Sequence, residues 1–335
     1  MRLVMMGTGP FGVPTFRSLY ETYHTIVALV TGPLKDRGRP PAVVSPMRDA
    51  ANEHHTPIFD PEDINSEESR VQLASFEADL LVVCDYGHIL SSTTLATARL
   101  GGINLHASLL PKYRGAAPIN WAIYHGEAET GVSVIHMTPR VDAGPVIAQG
   151  RTPIGPDETA AELEARLAEI GAWFVRRAID SLEAGILEAF PQNPALASKA
   201  PRIKKTDGLI DWNRPAVAIK NHIRAMEPWP KTYTFWRRPK GQPLRLIPGP
   251  AKALDTSDTS DTSDAGVAPG TVLEAVGDRL VIAAASGAVA LQSIQPAGKV
   301  VMSIPEFLRG YRVQPGERFG AEVEGGGKRE EGGGS

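Results

Sequence analysis

Arg2-Leu3-Val4-Met5-Met6-Gly7-Thr8-Gly9-Pro10-Phe11-Gly12 opens the chain as a short apolar run that passes directly into a glycine-rich turn. A strand buried on both faces needs apolar residues without alternation, and glycines at its exit permit a tight turn into a helix. Similar runs follow at residues 25–30 (TIVALV), 79–84 (DLLVVC) and 103–106 (INLH). Segments of helical character separate the first three, and this alternation predicts a parallel sheet covered by helices. Val132–Met137 and Val146–Gln149 read as strands that extend it. After Asp157, apolar residues at Leu163, Leu167, Ile170 and Phe174 share one helical face, so a helix is expected to close the first domain near Gly185.

The segment from Gly7 to Gly12 matches G-x-G-x-x-G, the turn that sets a dinucleotide's pyrophosphate on a helix N-terminus. That fingerprint also requires an acidic residue at the end of the second strand to hold a ribose. Here the strand ends Leu29-Val30-Thr31-Gly32, without a carboxylate. The glycines therefore read as turn formers rather than as a nicotinamide-cofactor site.

A length of 335 residues predicts two domains. With 42% hydrophobic and 22% charged residues the chain has ordinary globular composition, and no apolar run approaches the ~20 residues of a membrane span. The N-terminal stretch lacks the long apolar core and cleavage site of a signal peptide, so a cytoplasmic protein is expected. The single cysteine, Cys84, excludes an internal disulfide and any multi-cysteine zinc site, and its apolar neighbours predict simple burial. A net charge of −3 requires that any nucleic-acid partner be met by a local basic patch.

Residues 190–205 (FPQNPALASKAPRIKK) hold three prolines and no periodicity, which suits a linker between a first domain at 1–189 and a second at 206–320. The second domain begins with an amphipathic stretch around Ala216–Met226. Short strands near 233–236, 244–247, 271–276, 279–283 and 288–294 then suggest a small β-barrel. Residues 255–264 repeat Thr-Ser-Asp and read as a mobile loop, and the Gly-rich, charged tail over 321–335 is expected to be disordered.

The chemistry is concentrated in Gly102-Ile103-Asn104-Leu105-His106-Ala107-Ser108-Leu109-Leu110-Pro111-Lys112-Tyr113-Arg114-Gly115-Ala116-Ala117-Pro118. Strand alternation puts Asn104 and His106 on one face, where a loop begins, and ligands of open α/β sheets bind at that end. An isolated histidine is more often a packed one, but Asn104 two residues earlier favours a site. Asp142, in the turn Val141-Asp142-Ala143-Gly144 between two strands, is positioned by the sequence to reach His106. An amide N–H from Asn104 and an imidazole N–H from His106 suit a carbonyl oxygen that gains charge as a nucleophile adds. A carboxylate would orient the ring and relay a proton. Ser108 lacks the G-x-S-x-G elbow of a hydrolase nucleophile.

The run Asn104-x-His106-x-Ser108-Leu109-Leu110-Pro111-x-Tyr113-Arg114-Gly115, with Glu129-Thr130-Gly131-Val132 and Asp142-x-Gly144, resembles the signature of the 10-formyltetrahydrofolate-dependent formyltransferases. The resemblance implies a Rossmann-like catalytic domain, 10-formyltetrahydrofolate as co-substrate and no metal. It gives Asn104, His106 and Asp142 the catalytic roles and sets Ser108, Leu109, Leu110 and Pro111 along the folate. Residues 84–90, with Asp85, Tyr86, Gly87 and Ile89, would flank the pterin. Asp85 departs from the small or apolar residue usual in the family.

Family members formylate glycinamide ribonucleotide, an amino-sugar nucleotide or methionyl-tRNA, and others hydrolyse the formyl-folate. Ile210-Asp211-Trp212, Arg224-Ala225-Met226-Glu227-Pro228-Trp229-Pro230 and Gln295-Pro296-Ala297-Gly298-Lys299 resemble the OB-like C-terminal domain of the members that act on tRNA, and the similarity spans roughly residues 1–318. It implies a formyl acceptor that is the α-amino group of methionine on initiator tRNA. A monomer is expected. Ala117-Pro118-Ile119-Asn120-Trp121 is also similar to the amino-sugar nucleotide members, which stand as the alternative. The segment from Thr31 to Pro41 is similar to, but shorter than, the loop that the tRNA-directed members wedge at the acceptor end. Lys35, Arg37 and Arg39 on it would meet phosphates and splayed bases. Lys204 and Lys205, with Arg202, form a second basic patch suited to a tRNA backbone. Trp212, Trp229 and Trp236 are expected in the core or in domain packing.

Overall fold

The apolar runs become strands wherever a neighbour can cover both their faces. In the computed structural model, which describes residues 1–33, 45–255 and 267–322, strand β1 (Arg2–Met6) turns through Pro10–Gly12 into helix α1 (Val13–Tyr20) and returns as β2 (Thr25–Val30). There follow α2 (Pro46–Glu53), β3 (Ile58–Phe59), α3 (Glu67–Ser75), β4 (Leu80–Cys84), α4 (Ser92–Leu95), β5 (Gly102–His106) and α5 (Pro118–Tyr124). Strands β6 (Glu129–His136) and β7 (Val146–Pro153) and the long helix α6 (Ala160–Glu183) complete this part. The sheet order is β3-β2-β1-β4-β5-β6-β7. The first five strands run parallel, whereas β6 and β7 are antiparallel to their neighbours. Every residue of β4 is buried, as expected of a central strand in a parallel sheet.

Three local features carry the sequence into this arrangement. Gly7 and Gly9 are turn formers: a Cβ on Gly7 would meet the Cys84 carbonyl oxygen at 2.6 Å, and one on Gly9 would meet Asp85 Oδ2 at 2.0 Å. The β1 turn thus lies directly against the end of β4. Helix α6 starts with a capping box, Thr159 and Glu162 satisfying each other's backbone N–H groups. Its buried stripe, including Leu163, Leu167, Val175 and Ile179, is interrupted by Gly171, where a Cβ would strike Leu105 Cδ2 at 2.5 Å. The missing side chain lets α6 press on β5, the strand that carries Asn104 and His106.

Contact clustering divides the chain into a first unit of Met1–Ile123 with Glu127–Ile203, and a second of Tyr124–Gly126 with the residues from Lys204 onward. Residues 190–203, which the sequence suggests are linker, pack within the first unit. Their backbone hydrogen-bonds to the loop at 111–117 and to Val146 at the start of β7, which is why they lack a periodicity of their own.

The second unit contains α7 (Ala216–Ala225), β8 (Thr234–Arg237), β9 (Leu244–Pro248), β10 (Ala251–Leu254), β11 (Val272–Val276), β12 (Arg279–Ala283), β13 (Ala288–Leu291), β14 (Ser293–Pro296), β15 (Met302–Ser303), α8 (Ile304–Tyr311) and β16 (Arg318–Gly320). Its strands form antiparallel sheets in the orders β10-β13-β12-β11 and β15-β14-β9-β8-β16. Val272 N–H donates to the Glu317 carbonyl at 2.8 Å and Phe319 N–H to that of Gly270 at 2.7 Å, sealing one seam between the sheets. Ile219, Leu246, Leu280, Ile282, Phe307 and Phe319 belong to one apolar cluster of this unit.

Two expectations change here. The run at 288–294 is two strands broken at Gln292, whose N–H donates to the Pro250 carbonyl. Trp212 and Trp236 are buried, but Trp229 is 51% exposed and is not a core residue. The Thr-Ser-Asp repeat and the tail lie outside the described residues, apart from Asp255 and residues 321–322.

Candidate active site

The chemistry-bearing side chains meet on one face of the sheet. Asn104 pairs with Val83 and Ile135 in the neighbouring strands, and His106 with Ser133, so residues of all three strands point together. Above them is a cavity of about 540 Å³. Val83, Ile135 and Met137 give it an apolar floor, and Asn104, His106 and Asp142 place polar groups in its wall. This combination of an apolar chamber and a few convergent polar groups is typical of small-molecule sites.

Asp142 arrives by an indirect route. Because β6 runs antiparallel to β5 and His136 pairs with Ile103, the β6–β7 loop starts beside the wrong end of β5. It must fold back by about three residues of strand rise, roughly 10 Å, to reach His106. Asp142 makes that turn with φ 49°, a left-handed conformation that costs a non-glycine residue roughly 1 kcal/mol or more. Its carboxylate is then held on three sides. Gly115 N–H donates to Oδ2 at 2.9 Å, Asn104 Nδ2 donates to Oδ1 at 3.4 Å, and His106 Nδ1 stands 3.6 Å from Oδ2.

His106 is 6% exposed, and its Nε2 lies 2.8 Å from the Tyr113 carbonyl oxygen. A carbonyl only accepts, so Nε2 must carry a hydrogen and donate it. The sequence reading aimed both Asn104 and His106 at a substrate carbonyl. The structure instead leaves the Asn104 amide as the N–H donor on the cavity and turns His106 toward Tyr113 and Asp142. In the neutral ring Nδ1 is then an acceptor facing a carboxylate oxygen, and the gap between them has room for one proton.

The other predicted residues divide into two groups. Asp85, Tyr86, Gly87 and Ile89 all line the cavity, on the loop leaving β4. Ser108, Leu109, Leu110 and Pro111 do not. Ser108 is fully buried and donates from Oγ to the Lys112 carbonyl at 2.7 Å, while Leu110 N–H donates to Ser133 Oγ at 3.0 Å. Ser133 Oγ donates in turn to the Ser108 carbonyl at 2.6 Å. These bonds pin the loop down onto β6, with Ser108 and Leu110 buried and Leu109 and Pro111 half-buried outside the cavity lining.

Three charged residues of the cavity were not assigned to it from the sequence. Glu164 sits on α6 beside the buried stripe, where an acid one position from Leu163 was the available signal. Arg140 lies in the Asp142 loop, and Arg202, read as part of a surface basic patch, also lines the chamber. The protein packed around Asp85 pushes its carboxyl above the ordinary range, an effect that Arg202 opposes, while the residue keeps open surface toward the cavity. Burial raises the Glu164 carboxyl as well, and the charge of Asp85 adds to it. Cys84, directly before this loop, is sealed in the core, and burial pushes its thiol up to about 12.

Lys204 and Lys205 are exposed at the start of the second unit, and Lys35, Arg37 and Arg39 lie outside the described residues. Among the described residues no helix is long and apolar enough to cross a membrane, and no cluster of three side chains is arranged to bind a metal.

Comparison with known proteins agrees with this geometry. Residues 1–179 match the family model described as formyl transferase, and residues 202–312 match that of the formyl transferase C-terminal domain. Methionyl-tRNA formyltransferases are among the curated relatives. The one from Rhodopirellula baltica is 44% identical over 95% of this chain and 96% of its own, and the one from Geobacter sulfurreducens 37% identical over 96% and 97%. Among solved structures, an N-formyltransferase from Helicobacter canadensis, in complex with folinic acid and dTDP-3-aminofucose, superimposes with a TM-score of 0.63. At 18% identity over 86% of this chain and 97% of its own, it shares the fold. By the span of both family models and the full-length identity to these relatives, the chain belongs to the formyl transferase family.

Proposed function

We propose that this protein transfers a formyl group from 10-formyltetrahydrofolate to the α-amino group of methionine carried by initiator tRNA. The observation that supports it most is the convergence of Asn104, His106 and Asp142 on one apolar-floored cavity. Relatives that share 36–44% identity over nearly the whole chain act on methionyl-tRNA by their names, which supports that acceptor over a small sugar nucleotide.

The chamber fits a flat heteroaromatic ring. Val83, Ile135 and Met137 offer apolar contact, and the Asp85–Leu90 loop borders the space. The folate carrier supplies a formyl group already activated for transfer. The protein's part is to hold and stabilise. Asn104 donates an N–H toward the formyl oxygen as negative charge develops there, a donor held in place before the reaction begins. Asp142 and His106 Nδ1 receive the proton that the attacking amine must lose, because they are two acceptors separated by one proton's room, and return it to N10 of the folate as the bond between N10 and the formyl carbon breaks, so that tetrahydrofolate leaves neutral. His106 cannot swing away, since its Nε2–H is tied to Tyr113. Lys204 and Lys205 provide cationic contact for the tRNA backbone.

The test is a formyl-transfer assay with 10-formyltetrahydrofolate and charged initiator tRNA. Release of tetrahydrofolate with formylation of the methionine is expected, and binding of the tRNA should weaken steeply with salt. Formylation of an amino-sugar nucleotide, with no transfer to tRNA, would overturn the assignment of the acceptor.

A further inference from the structure

Gln192 stands in the segment that the sequence suggests is linker, yet each of its side-chain hydrogen-bonding positions is committed to the active-site loops. Its Nε2 donates to the Asp142 carbonyl at 2.8 Å and to the Gly144 carbonyl at 2.8 Å. Its Oε1 accepts from Arg114 Nε at 3.1 Å and Nη2 at 2.6 Å. A carboxamide has two donor hydrogens and two acceptor lone pairs, and here all four are used.

The two partners come from different ends of the site. Asp142 and Gly144 belong to the loop that folds back over the sheet face. Arg114 precedes Gly115, whose N–H holds the Asp142 carboxylate, and follows Tyr113, whose carbonyl holds His106. One amide therefore sets the spacing between the loop that carries the acid and the loop that orients both the acid and the imidazole. The flanking backbone supports the same loop: Ser198 Oγ accepts from Tyr113 N–H at 2.9 Å, Arg114 N–H donates to the Ser198 carbonyl at 2.9 Å, and Ala200 N–H donates to the Arg114 carbonyl at 2.7 Å. Phe190 and Val146 exchange N–H···O bonds on the other side.

We propose that Gln192 is a positioning residue of the transfer reaction, which holds Asp142 in its left-handed turn at working distance from His106. The inference rests on the catalytic reading of Asp142 given above. Asp142 sits in an unfavourable backbone conformation at the tip of a loop with no strand partner, so without the amide the turn has other conformations to relax into. A displacement of about 1 Å at a reacting group costs about 100-fold in rate.

Three single variants and one double variant decide it, each measured for kcat, for KM of both substrates and for thermal midpoint. Gln192→Ala is expected to lower kcat by about 100-fold with little change in KM for the folate. Gln192→Glu keeps an acceptor pair for Arg114 but sets carboxylate oxygens against the carbonyls of Asp142 and Gly144, so its kcat should fall at least as far. Asp142→Asn should be slow on its own, and the double variant Asp142→Asn with Gln192→Ala should be no slower than Asp142→Asn, because both changes act through one carboxylate. A normal kcat for Gln192→Ala, or a drop confined to the thermal midpoint, would overturn the positioning role and leave the catalytic role of Asp142 standing. Additive losses in the double variant would also overturn it, since Gln192 would then act elsewhere. Near-normal turnover of Asp142→Asn would sink the catalytic reading itself, and this inference with it.

Discussion

The first unit gathers polar side chains around an open chamber, while the second closes its apolar side chains into one core. In the first, Asn104, His106, Asp85 and Glu164 face a cavity, and Asp142 accepts a strained backbone to join them. In the second, Trp212, Trp236, Phe307 and Phe319 fill the space between the sheets, and the tryptophan N–H groups are satisfied by Thr234 and Glu317. The difference teaches where each kind of substitution should be felt. Changes at the chamber should cost rate with little stability, and changes in the second unit should cost stability first.

The largest effect tests the chamber. His106→Ala and Asn104→Ala should each lower kcat by about 10²- to 10³-fold, the order expected when a donor or base is removed from an acyl-transfer site. The thermal midpoint of Asn104→Ala should move little, whereas His106→Ala also loses the buried bond to the Tyr113 carbonyl and should cost about 1–2 kcal/mol; a calorimetric folate titration of either should still show binding. If either variant turned over at the normal rate, the two units would no longer differ in the way described.

Next comes the core of the second unit. Phe307 is fully buried and stacks on Tyr311 with ring centroids 4.8 Å apart. Phe307→Ala should destabilise the protein by about 3–5 kcal/mol, visible as an early transition in thermal or urea unfolding. kcat at saturating substrates, scaled to the folded fraction, should hold. A rate loss without destabilisation would place Phe307 in the reaction and break the contrast.

How much of this was legible in the sequence follows from periodicity. The runs at 3–6, 26–30 and 80–84 are apolar throughout, as strands covered on both faces require, so the parallel core was visible. Asn104 and His106 were visible because strand alternation fixes a shared face from spacing alone. The orientation of β6 was not: a strand's direction leaves no mark on its composition, and with it went the knowledge that the Asp142 loop must fold back over the sheet. Gln192 was hidden for a related reason. A segment without periodicity offers nothing to distinguish a free linker from one hydrogen-bonded into place. β3 and β15, two residues each, fall below what a hydrophobic pattern can signal. Helix α8 is legible by contrast, since Ser303 and Glu306 form a capping box and Ile304, Phe307, Leu308 and Tyr311 share one face.

The loop at 108–111 sharpens the comparison inside the first unit, because its sequence matches a folate-lining motif while its residues lie outside the cavity lining. Ser108→Ala removes a fully buried hydroxyl whose hydrogen bond holds the Lys112 carbonyl, and should cost about 1–2 kcal/mol of stability. Folate affinity by titration should be unchanged. Weaker folate binding at unaltered stability would return Ser108 to the site.

The smallest effect concerns the two carboxyls of the chamber, and here the sign matters. Burial raises Glu164 in the folded state, with the charge of Asp85 adding to it. In the pH window between the ordinary carboxylate range and this raised value, the folded protein binds more protons than the unfolded chain, so stability falls as pH rises through that window. Glu164→Gln removes the group and should therefore flatten the fall: the variant gains on the parent in thermal midpoint as pH increases from about 4 to 8. Parallel pH curves for parent and variant would mean that Glu164 is as freely solvated as a surface acid. The chamber would then be wetter at its α6 side than the packing around Asp85 and Glu164 implies.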